Sequence, residues 1–293
     1  MICRKCGAAA NEGDNFCEEC GASLKPSLLN RGTIVEDVSF PKSKTFIYNN
    51  NLAAVTNVGR KHPVNEDSCM VMKCDNGDII LAVADGVTSA VNSISASMTA
   101  VEAIREVLIK GSGTAREIVF SAIQTADDCI KKLPFETRED GLYGPETTVA
   151  VALIREGTAT IGWIGDSRAY MLNREGQQKL TMDDSWIEMV VAEGKMTREE
   201  ASANRMAHCV TQVLGMHDQE IQVHILEQKL RKGDILLLCS DGLWNYLQGE
   251  NIFKNAVEAF GIDSEAIHIC EHLVELANAA GGHDNITAAM FRN

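Results

Sequence analysis

The chain has 293 residues, 45% of them hydrophobic, and its 27 Lys and Arg against 41 Asp and Glu leave a formal net charge of -14. That is enough apolar material for one large core or two modest ones, and the acidic balance excludes a general affinity for nucleic acid, which needs a basic face to displace counterions from phosphate. Residues 1–30 hold no apolar stretch of signal-peptide length and no run approaches a membrane span, so a cytoplasmic location without a membrane partner is expected.

In chain order the first feature is a pair of knuckles, Cys3-Arg4-Lys5-Cys6-Gly7 and Cys17-Glu18-Glu19-Cys20-Gly21. Two thiolates separated by two residues can grip one ion, and the following glycine lets the backbone turn tightly under the sulfurs, so two knuckles complete a tetrahedral, four-thiolate structural Zn2+ site. Paired disulfides are disfavoured in a chain without a secretory signal. A redox reading is weaker still, because a segment this poor in apolar residues needs a metal to fold. The acidic residues Glu12, Asp14, Glu18 and Glu19 outnumber Arg4, Lys5 and Lys25, and four thiolates on one Zn2+ add to the negative charge, so the ribbon is expected to contact protein. The expected division is a zinc ribbon at 1–25, a linker at 26–51 marked by Pro26, Pro41 and the Asn49-Asn50-Asn51 run, and a larger domain at 52–293. One added strand is expected over 33–40. The remaining cysteines, Cys69, Cys74, Cys129, Cys209, Cys239 and Cys270, read as core thiols.

Within the larger domain, apolar positions at helical spacing predict helices over 93–110 and 114–132, then 252–260 and 265–279. Strands are predicted over 147–154, 158–164, 169–172, 221–226, 235–239 and 286–291. Hairpin-connected strands imply antiparallel sheets, and helices arriving in pairs imply covered faces, so the expected fold is an α+β, four-layer α-β-β-α sandwich. Four acidic points punctuate its apolar runs: Asn65-Glu66-Asp67, Asp85-Gly86 after Ile79 to Ala84, Asp241-Gly242 after Ile235 to Ser240, and Asp284-Asn285 before Ile286 to Phe291. Each pair taken singly is an ordinary turn. If the strands share one sandwich, the carboxylates converge at one edge, where mutual repulsion requires cations between them. All-oxygen donors select hard divalent ions such as Mg2+ or Mn2+.

Taken together, Val64-Asn65-Glu66-Asp67, Val83-Ala84-Asp85-Gly86, Cys239-Ser240-Asp241-Gly242 and Gly281-Gly282-His283-Asp284-Asn285 resemble the motifs of the metal-dependent serine/threonine protein phosphatases of the PPM, or 2C, type. Residues 54–60 look like that family's opening strand and turn, 147–152 and 164–170 like its central hairpin, and 181–215 like its flap. The resemblance implies attack on a phosphoserine or phosphothreonine by a water bridging two or more Mn2+ or Mg2+ ions. Carried over by motif, Asp67 and the Gly86 carbonyl hold one ion, Asp241 and Asp284 the other, and Asp85 both, while Glu66 acts through water. Asp67, Asp85, Asp241 and Asp284 are thus the expected catalytic set. The implied partner is a phosphorylated protein, with a serine/threonine kinase opposing the reaction. Asp166, inside Gly165-Asp166-Ser167-Arg168, is expected to order its loop through Ser167 and Arg168.

Three positions depart from the family pattern. Val87 follows the second motif where members carry a histidine or a glycine-rich run, and it cannot give a proton to the leaving oxygen. His62 occupies the place of the phosphate-binding arginine, with Arg60 or Lys61 on the same loop as substitutes, so Arg60 and His62 are the expected phosphate contacts. Glu146 stands where a glycine is usual before the paired threonines and is expected to alter the local backbone. These departures leave two other readings open: a phosphatase-fold protein that binds phosphoprotein with weak or no turnover, and a zinc-ribbon adaptor on a scaffold.

Overall fold

The strands read as uninterrupted apolar runs are buried on both faces. In β8 (Val149–Arg155), Val149, Val151 and Leu153 pack under helices while Ala150, Ala152 and Ile154 face a second sheet. The computed structural model describes residues 33–35, 43–138, 141–217, 219–261 and 264–293. The expected zinc ribbon, with Cys3, Cys6, Cys17 and Cys20, lies outside the described residues.

The elements before β8 are β1 (Thr33–Val35), β2 (Ser43–Asn49), β3 (Leu52–Asn57), β4 (Ser68–Lys73), β5 (Ile79–Ala84), α1 (Ser93–Lys110), α2 (Ala115–Ile130), β6 (Glu136–Arg138) and β7 (Gly141–Tyr143). After it come β9 (Thr158–Ile164), β10 (Arg168–Leu172), β11 (Gln177–Lys179), α3 (Trp186–Ala192), α4 (Arg198–Ser202), β12 (His224–Lys229), β13 (Ile235–Cys239), α5 (Asp241–Trp244), α6 (Ile252–Phe260), α7 (Ala266–Ala280) and β14 (Ile286–Arg292). A seven-stranded sheet in the order β1-β2-β3-β14-β13-β10-β11 faces a five-stranded sheet in the order β12-β9-β8-β5-β4. All pairings in both are antiparallel. The hairpin β6-β7 stands apart.

The layering follows from side-chain alternation along each strand. Ile235, Leu237 and Cys239 of β13 pack with Leu243, Phe253 and Leu273 of α5, α6 and α7, whereas Leu236 and Leu238 meet Leu81 and Val83 of β5 between the sheets. Helices α1 and α2 cover the five-stranded sheet through Ile104, Leu108, Val119 and Ile123. The start of α2 is set by a capping box, in which the Thr114 hydroxyl accepts the Glu117 N–H and the Glu117 carboxylate accepts that of Thr114. The result is the four-layer sandwich that the pattern implied.

Register decides where the acidic points fall. Cys239 pairs with Ala288 and Asn57 with Ile286, which brings the ends of β13 and β3 and the start of β14 to one pole. In the other sheet Ser68 pairs with Ala84, which sets Asp67 beside Asp85.

Several boundaries differ from the sequence expectation. Ser43–Asn49 is a strand paired with β3, so the sheet begins inside the segment read as linker. The strand expected over 33–40 is described only as Thr33–Val35. The strand expected over 221–226 runs from His224 to Lys229, because Ile221 and Val223 pack against the helical core before the chain joins β9.

At Gly162 of β9 helix α2 sits close against its sheet: a Cβ there would lie 2.6 Å from Val119 Cγ1 and 2.7 Å from Ile123 Cδ1. Gly162→Ala is therefore expected to push α2 outward and cost about 1–3 kcal/mol. Urea unfolding should show a lower midpoint with an unchanged slope; an unshifted midpoint would mean that α2 adjusts freely.

Candidate active site

Asp67 precedes β4 and is buried at the junction of the sheets. Its Oδ2 accepts hydrogen bonds from the Ser240 hydroxyl at 2.8 Å and the Thr287 hydroxyl at 2.6 Å. Thr287 Oγ1 also lies 2.7 Å from the Thr56 hydroxyl, which accepts from Asn65 Nδ2 at 2.8 Å. Since the single Thr287 proton goes to the carboxylate, Thr56 donates in turn, and a relay runs from the loop through β3 and β14 to Asp67.

Asn285 pins the same loop. Its Nδ2 donates to the carbonyls of Val58 and Val64, at 2.9 and 3.1 Å, and its Oδ1 accepts the Glu66 N–H at 2.7 Å. The Glu66 side chain accepts a short hydrogen bond from the Ser93 hydroxyl, and its carbonyl accepts one from Ser97 at 2.5 Å, which joins the loop to the start of α1. Gly86 lies between them: a Cβ would stand 2.8 Å from the carbonyl oxygens of both Glu66 and Ser93, so only glycine lets this peptide through. The Asp85 carbonyl accepts from Thr148 N and the Thr147 hydroxyl, each at 2.8 Å. The paired threonines thus hold the turn after β5.

Asp67, Asp85, Asp241 and Asp284 form one electrostatic cluster, and Asp166 joins it. Burial, with Asp241 and Asp284 adding to it, pushes Asp67 up to about 7 against the opposing hydrogen bonds of Thr287 and Ser240. Burial and then Asp284 push Asp241 up to about 6. Asp85 is raised well above the usual carboxylate range, first by burial and then by Asp67 and Asp241. Burial and then Asp241 push Asp166 up to about 8. Asp67 Oδ1 and Asp241 Oδ1 are buried with no hydrogen-bond partner among the described residues. Bare, buried carboxylate oxygens inside a set of mutually repelling acids suit hard divalent cations. Among the described residues no three ligand-type side chains gather tightly enough to enclose an ion alone. Ions of the Mg2+ kind, which keep several waters and accept backbone carbonyls, do not require such a cage.

At the rim, His62 Nε2 is 3.6 Å from Asp284 Oδ1. Arg60 is exposed, with its backbone N–H donating to the Gly282 carbonyl at 2.7 Å. The Val87 N–H donates to the Glu146 carbonyl at 3.0 Å, so Glu146 carries a backbone contact there, and burial raises its carboxyl.

The Asp166 loop is held by its neighbours. Ser167 exchanges a 2.8 Å hydrogen bond with Thr148, and Trp244 Nε1 donates to the Asp166 carbonyl at 2.9 Å. Arg168 stacks 3.3 Å over the Trp244 ring and makes a bidentate pair with Asp183, with Nη2 to Oδ2 at 2.6 Å. The Asp166 carboxyl itself feels Asp241 more than any loop group.

The residues that sequence reasoning did not assign are Ser240, Thr287, Asn285, Ser93 and the threonine pair. Ser240 and Asn285 stood inside the quoted motifs, and Thr287 lies two residues along the strand from Asn285, on the same face.

Comparison with known proteins gives the same grouping. The family model described as Protein phosphatase 2C matches residues 58–274, and one described as a zinc-ribbon domain matches residues 2–24. Protein phosphatase PhpP of Streptococcus pneumoniae is 31% identical over 243 residues, covering 82% of this chain and 96% of that protein. The solved structure of the Mycobacterium tuberculosis serine/threonine phosphatase PstP superposes with a TM-score of 0.68 at 27% identity, covering 82% of this chain and 97% of that one. A structure of the PstP catalytic domain with two manganese ions gives a TM-score of 0.66 at 28% identity, covering 82% and 96%. With most of its length matched, from just after β3 to within α7, the chain belongs to the protein phosphatase 2C family of serine/threonine phosphatases and carries a zinc-ribbon domain at its N-terminus.

Proposed function

We propose that the carboxylate cluster holds at least two Mn2+ or Mg2+ ions and that the chain uses them to hydrolyse phosphoserine and phosphothreonine in proteins. The observation that carries this reading is the pair of buried, unpartnered oxygens, Asp67 Oδ1 and Asp241 Oδ1. Asp67 and the Gly86 carbonyl would hold one ion and Asp241 and Asp284 the other, Asp85 would contribute to both, and Glu66 would act through water. The PstP domain with two manganese ions supports this count. Such ions supply Lewis acidity, lowering the pKa of a water nucleophile and offsetting charge on the phosphoryl group. The chain's own residues do the positioning. Ser240 and Thr287 fix the Asp67 carboxylate, Asn285 sets the height of the 58–66 loop, and that loop carries His62 and Arg60 as phosphate contacts. The Val87 side chain has no exchangeable proton, so water or another group gives the leaving oxygen its proton. On the same reading Cys3, Cys6, Cys17 and Cys20 hold structural Zn2+, the ribbon meets protein, and the enzyme opposes a serine/threonine kinase in the cytoplasm. No helix among the described residues is long and apolar enough to cross a membrane.

Hydrolysis of an aryl phosphate is expected to need added Mn2+ or Mg2+ and to fall about a hundredfold or more in Asp241→Asn, a loss of roughly 2.7 kcal/mol or more in barrier. Full activity after metal stripping, or an unaffected variant, rules out the mechanism.

The same carboxylates set a pH dependence. With folded-state values of about 7 for Asp67 and about 6 for Asp241, both above the 3.8 of an exposed aspartate, the metal-stripped native state binds more protons than the unfolded chain between these limits. Their contribution to stability is therefore complete below about pH 4 and is lost as pH rises through about 6 to 7. Thermal unfolding of chelator-treated protein should show Tm falling across that window, with a shallower fall in Asp67→Asn. Mn2+ should raise Tm more at pH 8 than at pH 5. A Tm that climbs with pH in both proteins contradicts the assignment.

Deleting residues 1–25 is expected to remove one tightly bound Zn2+ while leaving aryl phosphate turnover within about threefold, under roughly 1 kcal/mol of barrier. Metal analysis and steady-state kinetics on the two forms decide this. Collapse of turnover in a folded deletion would make the ribbon part of the active unit.

A further inference from the structure

At the pole opposite the carboxylate cluster, the β10-β11 and β12-β13 turns and α6 enclose a cavity of about 480 Å3. Its floor is apolar and buried, from Leu172, Ile235 and Val257. Its walls are basic. Two of the cations are neutralised, Arg231 by Glu175 at 3.4 Å and Lys254 by Glu258 at 2.9 Å. The carboxylate of Asp234 is turned inward and accepts the Arg231 backbone N–H at 2.8 Å. Arg174 and Lys232 have no hydrogen bond or ion pair among the described residues, and both are exposed at the cavity wall.

Two uncompensated cations over an apolar floor are out of keeping with a chain of net charge -14. The overall field repels a phosphorylated polypeptide, while this pocket attracts one locally. We propose that the cavity docks an acidic segment of the phosphoprotein substrate, remote from the phosphate being hydrolysed. The inference rests on the reading of the carboxylate cluster as a phosphoprotein phosphatase site. Carboxylates or a further phosphate on the segment meet Arg174 and Lys232, and an apolar neighbour fills the floor. The distance suits one polypeptide. Strand β13 runs from Ile235 at the cavity to Cys239 beside Asp241, about 13 Å at the rise of a strand, and some eight extended residues cover that span with a detour around the surface, at roughly 3.3–3.6 Å each. On this side the sheet ends at β11, whose Gln177 lies opposite Leu172 and whose Lys179 lies opposite Tyr170, so its edge leads from the cavity toward the active pole.

The test uses the full chain with Mn2+ and two phosphoserine peptides, identical except for four Glu or four Gln placed about eight residues from the phosphoserine. The Glu peptide is expected to show a KM at least threefold lower at equal kcat, about what two exposed ion pairs supply, with the difference shrinking in high salt. The double variant Arg174→Ala, Lys232→Ala should erase that difference while leaving aryl phosphate turnover unchanged. Equal KM values in the unaltered protein overturn the proposal; an occupant from the chain's own N-terminal segment or from a second copy would produce that result. An advantage that survives the double variant overturns it too. Failure of the phosphatase reading looks different, because neither peptide nor aryl phosphate is then hydrolysed.

Discussion

Asp67 ties the two sheets together at the catalytic pole. Its backbone leads into β4 of the five-stranded sheet, while its carboxylate takes hydrogens from Ser240, which follows β13, and Thr287, within β14 of the seven-stranded one. Apolar contact between Leu81 or Val83 and Leu236 or Leu238 drives the sheets together but has no directional preference. The hydroxyl bonds to Asp67 do have one. The relay through Thr56 and Asn65 extends the tie to β3 and to the loop that carries His62, which leads directly into Asp67, so the position of the rim is coupled to that carboxylate.

The way these bonds are shared out sets Asp67 and Asp241 apart from an ordinary buried acid. A buried acid is stable when both oxygens are satisfied, as Asp183 is by Arg168 and Lys179. At Asp67 both hydroxyls go to Oδ2 and none to Oδ1, and at Asp241 the Asn245 amide reaches Oδ2 and leaves Oδ1 bare. Burial and neighbouring charges raise each carboxyl more than hydrogen bonds lower it, those of Thr287 and Ser240 at Asp67 and those of Asp85 and the Gly242 backbone at Asp241, so the fold alone does not stabilise the charge it gathers. A dication would, with each bare oxygen free to serve as a ligand, as the proposed function requires.

What could be read from the sequence was what is local. Runs such as Ile79 to Ala84 and Ile235 to Cys239 are apolar throughout because they are buried on both faces, and the helices covering them keep strict periodicity. The strand Ser43–Asn49 escaped notice because it is only half buried, with Lys44 and Asn49 exposed, so it has neither an apolar run nor clean alternation. The acidic points were legible because each abuts a readable run. Their partners were not, since Ser240 meets Asp67 across 173 residues and Asn285 meets Glu66 across 219, and no local pattern encodes such pairings.

The departures from the family pattern at Val87 and His62 replace none of the residues that hold the carboxylates in place. The Val87 backbone N–H donates to Glu146 and holds the turn after β5, while its side chain offers no exchangeable proton. His62 approaches Asp284 to 3.6 Å and brings one or two ring donors in place of the planar fork of an arginine. On the proposed reading both changes would weaken the grip on phosphate and leaving group without touching a bare carboxylate oxygen. An enzyme that holds its phosphate less firmly gains more from contacts made elsewhere on the same polypeptide, since each adds to binding without needing to follow the reacting atoms. The uncompensated Arg174 and Lys232 at the far pole are placed to make such contacts.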